Sequence, residues 1–146
     1  MVTFQLEDVD ALLGAQQLFE EHYREVTNQS LPMALDVPFY RFLQEAGQLV
    51  ILTCRKNGTI IGYVAVIVRR HPHYVSTLCG FEDGYFLTKA ERKGLLGLRM
   101  IKAMLEQLKA RGVKRVFWHS KLAKDLSVLF TRLGFTHVDE LWSKDI

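Results

Sequence analysis

Cysteine is nearly absent: Cys54 and Cys79 are the only two in 146 residues, with no CxxC pair and no spacing suited to metal ligands. A disulfide scaffold and a Cys/His metal site are both excluded on that count. Each cysteine falls in an expected strand, where cysteine behaves as a small hydrophobe. No apolar run approaches the roughly 18 residues that a membrane span requires, and no leader-like N-terminal stretch appears. Neither membrane insertion nor export is expected, and cytoplasmic is the expected location. A dominant basic stripe is missing too. The net charge of +3 can help attract an anionic ligand, but it is far from a nucleic-acid-binding profile, so nucleic acid is not an expected partner. No repeat, linker or low-complexity segment divides the chain, so residues 1–146 read as a single domain long enough to bury a core.

What is present is an alternation of strand and helix signals. Val2 to Leu6 alternates as a strand, and Glu7-Asp8 opens a helix carrying Val9, Leu12, Leu13, Ala15, Gln16 and Phe19, which continues to about Arg24. Glu25 to Asp36, with Asn28, Ser30 and Pro32, reads as a loop; a second helix starts near Asp36, with Pro38 in its first turn, and stops at Gly47. Leu49–Arg55 and Ile60–Arg69 form a hairpin about Asn57-Gly58. His71-Pro72-His73-Tyr74 interrupts the pattern, and a strand follows over Leu78–Leu87. The helix from about Gly94 to Arg111 carries Leu98, Ile101, Met104, Leu105 and Leu108 as its buried stripe and Gly112 as its cap. Val113–His119 is a strand, Lys124–Leu133 a helix and Thr136–Trp142 a last strand. The order is β-α-α-β-β-β-α-β-α-β. The hairpin demands antiparallel strands, and strand-helix-strand from Tyr85 to His119 demands a parallel pair. An α/β fold follows, with a mixed sheet and helices on both faces.

The stretch Glu91 to Gly97, ERKGLLG, lies where a strand ending Tyr85-Phe86-Leu87 meets that amphipathic helix. Amides at a helix start have no intrahelical partner and the dipole is positive there, so a basic, glycine-containing turn is a place to hold phosphates. Arg92 and Lys93 add charge, and Gly94 and Gly97 allow close approach. With the element order, this turn resembles the pyrophosphate loop of the GNAT acyltransferase superfamily, and the resemblance covers nearly the whole chain. It implies a sheet whose central parallel pair splays apart, with pantetheine of acetyl-CoA in the gap and pyrophosphate on the loop. The family loop reads Gln or Arg, two residues, Gly, one residue, Gly or Ala. Counted from Arg92, Gly97 matches but Leu95 replaces the first glycine; counted from Glu91, Gly94 matches but Leu96 replaces the last small residue. The Arg92 register is preferred because it supplies the cation and puts Gly97 where the helix must pack closely. By resemblance the donor contacts are Tyr85, Phe86, Leu87, Arg92, Lys93, Gly94, Leu95, Leu96, Gly97, Leu98 and Phe130. Phe130 precedes Leu133-Gly134-Phe135 where many relatives carry the Tyr that protonates the CoA thiolate, which a phenyl ring cannot do. His73-Tyr74, Asp83, Tyr85 and the RKG loop look most like small GNAT proteins encoded by bacteriophages.

The resemblance implies an acetyl-CoA-dependent N-acetyltransferase acting on a primary amine: a small amine, a protein lysine or N-terminus, or a modified base. Such an amine is protonated at neutral pH, with a pKa of about 10.4, so a base is required. The thioester oxygen needs a donor, which a strand N–H can be. Asp83, on the same face as Tyr85 in a regular strand, and His73 are the expected proton-accepting pair; a bulge near Gly80 or Gly84 would change that parity. His119, at the end of the strand across the gap, is the rival, and Tyr74 or Tyr85 is the expected acid. Tyr85, Phe86, Phe117 and Trp118 equally suit a core, and Glu20, Glu21, His22 and Tyr23 a solvated helix face. No metal is expected. Pairing into a homodimer, common in the family, is open to the chain. The alternative is a non-catalytic GNAT-like module that keeps the fold and binds CoA or a protein.

Overall fold

The computed structural model describes residues 1–26 and 31–146. The expected loop positions Asn28 and Ser30 lie outside the described residues. Five strands form one sheet in the order β1 (Val2–Glu7), β2 (Leu49–Lys56), β3 (Thr59–His71), β4 (Tyr74–Leu87) and β5 (Arg115–Phe117). The first four pair antiparallel and β5 joins β4 in parallel, so the mixed sheet stands as expected. Asn57 and Gly58 both take positive φ (50° and 84°), the conformation that a two-residue hairpin needs.

Helices cover both faces. On one lie α1 (Val9–Leu13), α2 (Gln16–Val26) and α3 (Val37–Glu45), with Val9, Leu12, Leu18 and Leu43 packed on Ile51, Tyr63, Ala65 and Phe86. On the other lies α4 (Leu96–Ala110), with Met100, Met104 and Leu108 on Val50, Leu52, Val64 and Val66. Full burial of a side chain of this size contributes about 1.5–3 kcal/mol, so these two layers dominate the fold's stability. Asp8 and Asp36 cap α1 and α3 by accepting from the amides of Ala11 and Phe39 (3.0 and 3.1 Å), which fixes where each helix begins.

Five expectations give way. The first helix is broken at Gly14-Ala15, where glycine's low helix propensity lets the chain turn and the Ala15 amide bonds back to Leu12 O instead. His71 pairs with Tyr74, so Pro72-His73 is a hairpin tip and β4 starts four residues before the expected Leu78. Gly94, at φ 80°, cannot belong to α4, which starts at Leu96. The last helix, α5, is shorter (Ser127–Arg132). The strand expected at Thr136–Trp142 does not form: Val138, Leu141 and Trp142 are 71%, 82% and 85% exposed, and the segment pairs with no strand among the described residues, so its alternation has no face to bury.

Candidate active site

The site is built where β4 and β5 part. Among the described residues they pair only over Cys79–Phe81 and Arg115–Phe117; beyond that, no described strand neighbours β4's edge, so its outward amides have no ladder partner there. β4 also changes register here. Ala65 pairs with Gly84 and Val66 with Glu82, which leaves Asp83 as the extra residue of a bulge. The bulge turns Asp83 to the α1–α3 side, where the Tyr40 hydroxyl donates to its Oδ2 at 2.6 Å. Tyr85, by contrast, packs in the α4 layer. The same-face expectation for Asp83 and Tyr85 is thus overturned by the bulge.

Glu82 is the residue that sequence reasoning missed. It is 8% exposed, and its carboxylate accepts from His119 Nδ1 (2.9 Å) and the His119 amide (3.4 Å) across the gap. A buried carboxylate needs such partners. In return, the hydrogen bond that His119 donates to Glu82 raises the His119 pKa above its usual value, against the opposing effect of burial. With Nδ1–H donated to Glu82, Nε2 of a neutral His119 is left as the proton acceptor. The available signal was the acidic pair Glu82-Asp83, set between Gly80 and Gly84 in an otherwise apolar strand.

Beside this pair a cavity of about 260 Å³ opens between the sheet and α1–α3. His22 and Tyr63 share a 2.6 Å hydrogen bond on its wall, and His22 stacks on Phe86 with ring centroids 5.0 Å apart. Burial, followed by the charge of Lys121, pushes His22 down to about 4, so it is neutral at pH 7.

The loop at the foot of α4 differs from its sequence reading. Arg92 Nε donates to Leu87 O (2.7 Å), its Nη2 pairs with Glu25 (2.6 Å), and its guanidinium lies 5.2 Å from the Phe86 ring centre. Arg92 therefore braces β4 against α2, and Lys93 is the exposed cation of the turn. The Arg99 amide is the first to reach a helical carbonyl, Leu95 O at 2.9 Å, so the amides of Leu96, Gly97 and Leu98 precede the ladder. A Cβ at Gly97 would stand 2.7 Å from Tyr85 Oη, so only glycine lets α4 approach β4 this closely.

The Acetyltransferase (GNAT) family model matches residues 14–135, most of the chain. The chain belongs to the GNAT acetyltransferase family. A GCN5-related N-acetyltransferase from Ralstonia eutropha JMP134 is similar in structure (TM-score 0.78, 18% identity, covering 100% of this chain and 99% of that one). So is a predicted acetyltransferase from Clostridium acetobutylicum solved with acetyl-CoA (0.70, 15%, 99% and 96%). An aminoglycoside acetyltransferase from an uncultured soil metagenomic sample, in complex with sisomicin, is a third (0.73, 11%, 99% and 94%). No curated protein matches the chain by sequence.

Within this GNAT acetyltransferase the expected site residues divide. Asp83 and His119 come to the gap, with Glu82 and Tyr40 added. His73 and Tyr74 do not. They sit at the β3–β4 tip against His71, roughly 30 Å along β4 from Asp83 at about 3.4 Å per residue, so His73 and Asp83 cannot act as a pair. Of the expected donor contacts, Phe86 faces the α1–α3 layer at 1% exposure, and Leu87 is buried at 3% with its carbonyl taken by Arg92. Phe130, 8% exposed, packs on Trp118 and Phe135. Gly94, Leu95 and Lys93 remain exposed at the turn. Trp118 Nε1, at the gap, is a buried donor without a partner among the described residues. Glu20 and Glu21 are not among the cavity's walls, whereas His22 and Tyr23 are.

Proposed function

We propose that this protein transfers the acetyl group of acetyl-CoA to a primary amine, with His119 as the base and Glu82 holding it in place. The observation that carries the reading is the buried Glu82–His119 pair at the point where β4 and β5 part. Two features suit a CoA donor: the first-turn amides of α4 beside Lys93, and the indole N–H of Trp118 at the gap, unpartnered among the described residues. The donor supplies a thioester carbonyl. The amine nitrogen forms the new C–N bond as the C–S bond breaks.

The acceptor's ammonium gives one proton to solvent before it attacks and the second to His119 as the C–N bond forms. The proton that Tyr85 hands to the thiolate is regained from solvent. His119 Nε2 accepts the proton the amine loses, while Glu82 steadies the imidazolium that results. The Asp83 carboxylate, fixed by Tyr40, attracts the acceptor's ammonium to the gap. Amides of β4's open edge donate to the carbonyl oxygen as it gains charge. Phe130 has no proton to give the thiolate. Tyr85 does: burial pushes its hydroxyl up to about 12, so it stays protonated at neutral pH. A positioned base is worth ~10²–10⁴ in rate.

The test couples binding with turnover. Acetyl-CoA at 100 times its dissociation constant should stabilise the fold by about 2.7 kcal/mol, and thiol release should require an amine. His119→Ala should keep that stabilisation and lose thiol release. No stabilisation at millimolar acetyl-CoA would overturn the reading, as would unchanged turnover in His119→Ala.

A further inference from the structure

The cavity beside the gap has a division of chemistry that the transfer reaction does not itself require. Val9, Leu12, Phe19, Leu35, Ile51 and Ala65 line it, together with Glu82 and Asp83, the residues that follow the last β4–β5 pair. The wall from the segment before α3 is tied down, because the Tyr23 hydroxyl of α2 donates to the Leu31 carbonyl. A volume of about 260 Å³ exceeds the ~150 Å³ in which an apolar cavity accepts benzene, so a ring and a short chain fit together. The charges select as well. Two carboxylates face one amine position, but Lys121 also lines the cavity, and it, Lys124 and Arg92 all act electrostatically on His22. Glu25, the one carboxylate that acts on His22 against these cations, is already paired with Arg92 (2.6 Å), so a second or third ammonium would meet an apolar wall or Lys121.

We infer that the acceptor is a primary amine carried on a compact apolar body, of the arylalkylamine class, whose amine meets Glu82–His119 and Asp83 while its ring fills the α1–α3 cavity. The inference rests on the transfer reading for its chemistry, and on the cavity alone for its selectivity. A polycationic sugar or a polyamine is disfavoured by the same walls. A small polar amine reaches the carboxylates but leaves the cavity unfilled.

The experiment compares 2-phenylethylamine, ethylamine and spermidine at saturating acetyl-CoA, with kcat/KM from thiol release and binding followed by NMR. One methylene in an apolar pocket is worth roughly 10–200-fold, so 2-phenylethylamine should exceed ethylamine by about 100-fold or more. Spermidine should fall below both. Leu35→Asp, on the partly exposed segment before α3, should cut the phenyl preference at least tenfold, and Met33→Glu gives a second charge in the same wall. A retained acetyl-CoA thermal shift reports that each variant is folded. A phenyl preference below about threefold, or a preference for spermidine, overturns the inference while leaving acetyl transfer standing. Saturable binding of 2-phenylethylamine that Leu35→Asp abolishes, without thiol release from any amine, supports the cavity's selectivity and overturns the transfer reading. Absence of both binding and turnover of the phenyl amine overturns the inference.

Discussion

Replacing Gly97 by alanine adds one methyl group at the second residue of α4 and tests how the loop and the sheet are fitted together. In an exposed helix the change would stabilise by about 1 kcal/mol, since glycine is the poorer helix former by that amount. Here the new Cβ would stand 2.7 Å from Tyr85 Oη, when C···O contacts ordinarily lie near ~3.3 Å. The hydroxyl cannot simply swing away, because the Tyr85 ring is held edge-to-face against Trp118 at 5.7 Å and packs into the α4 layer. Overpacking of this kind costs about 1–3 kcal/mol, so the helix gain is cancelled or reversed. Tyr85→Phe removes the oxygen, and in that background Gly97→Ala should recover the gain of about 1 kcal/mol. The four proteins form a double-mutant cycle with an expected coupling of about 1–3 kcal/mol. Urea denaturation at 25 °C reads it from the midpoints, provided the slopes agree. Gly97→Ala should also weaken acetyl-CoA, because α4's first turn must move. Stabilisation by Gly97→Ala in the unaltered background, or coupling under about 0.5 kcal/mol, would refute the packing argument.

His119 gives a pH prediction with a definite sign. Glu82 raises the His119 pKa, so kcat should fall as pH drops through that raised value, and Glu82→Gln should move the limb to lower pH and reduce the maximal kcat by at least about tenfold. The same pair stabilises the fold fully below the unfolded histidine pKa of about 6.5 and loses that contribution as pH rises through the folded value. Thermal unfolding across pH 5 to 9 should lose this dependence in Glu82→Gln. Arg92 and Lys93 should separate cleanly. Arg92→Gln breaks bonds to Leu87 O and Glu25 and should cost about 1.5–3 kcal/mol in urea denaturation. Lys93→Gln should leave stability within about 0.5 kcal/mol. It should weaken acetyl-CoA roughly two- to fivefold, the worth of one charge at a helix start.

Particular residues show what could be read early. Asn57-Gly58 announces its hairpin because both positions need positive φ, and the apolar spacing along α4 announces a buried helix, although Met100 takes the place expected for Leu98 and Leu105 in its stripe. Gly97 was legible as a site of close packing, but not the atom it packs on. Asp83 and His119 were named as candidate bases from residue type and their place beside the expected gap; Glu82 was passed over, although it is the carboxylate that His119 bonds.

By itself, the sequence determined the order of elements from β1 to α5, apart from the break in the first helix, together with the mixed sheet, the two helical layers and the turn at the foot of α4. Each follows from periodicity or from a residue with special backbone freedom, and both act over a few neighbouring positions. Only the tertiary structure decided the rest. It set the bulge at Asp83, the Glu82–His119 pair, the partner of Arg92, the distance of His73 and the exposure of Thr136–Trp142. These depend on register and burial between segments far apart in the chain. A one-residue slip in one strand reverses which face a side chain meets, and a carboxylate's role depends on what closes over it.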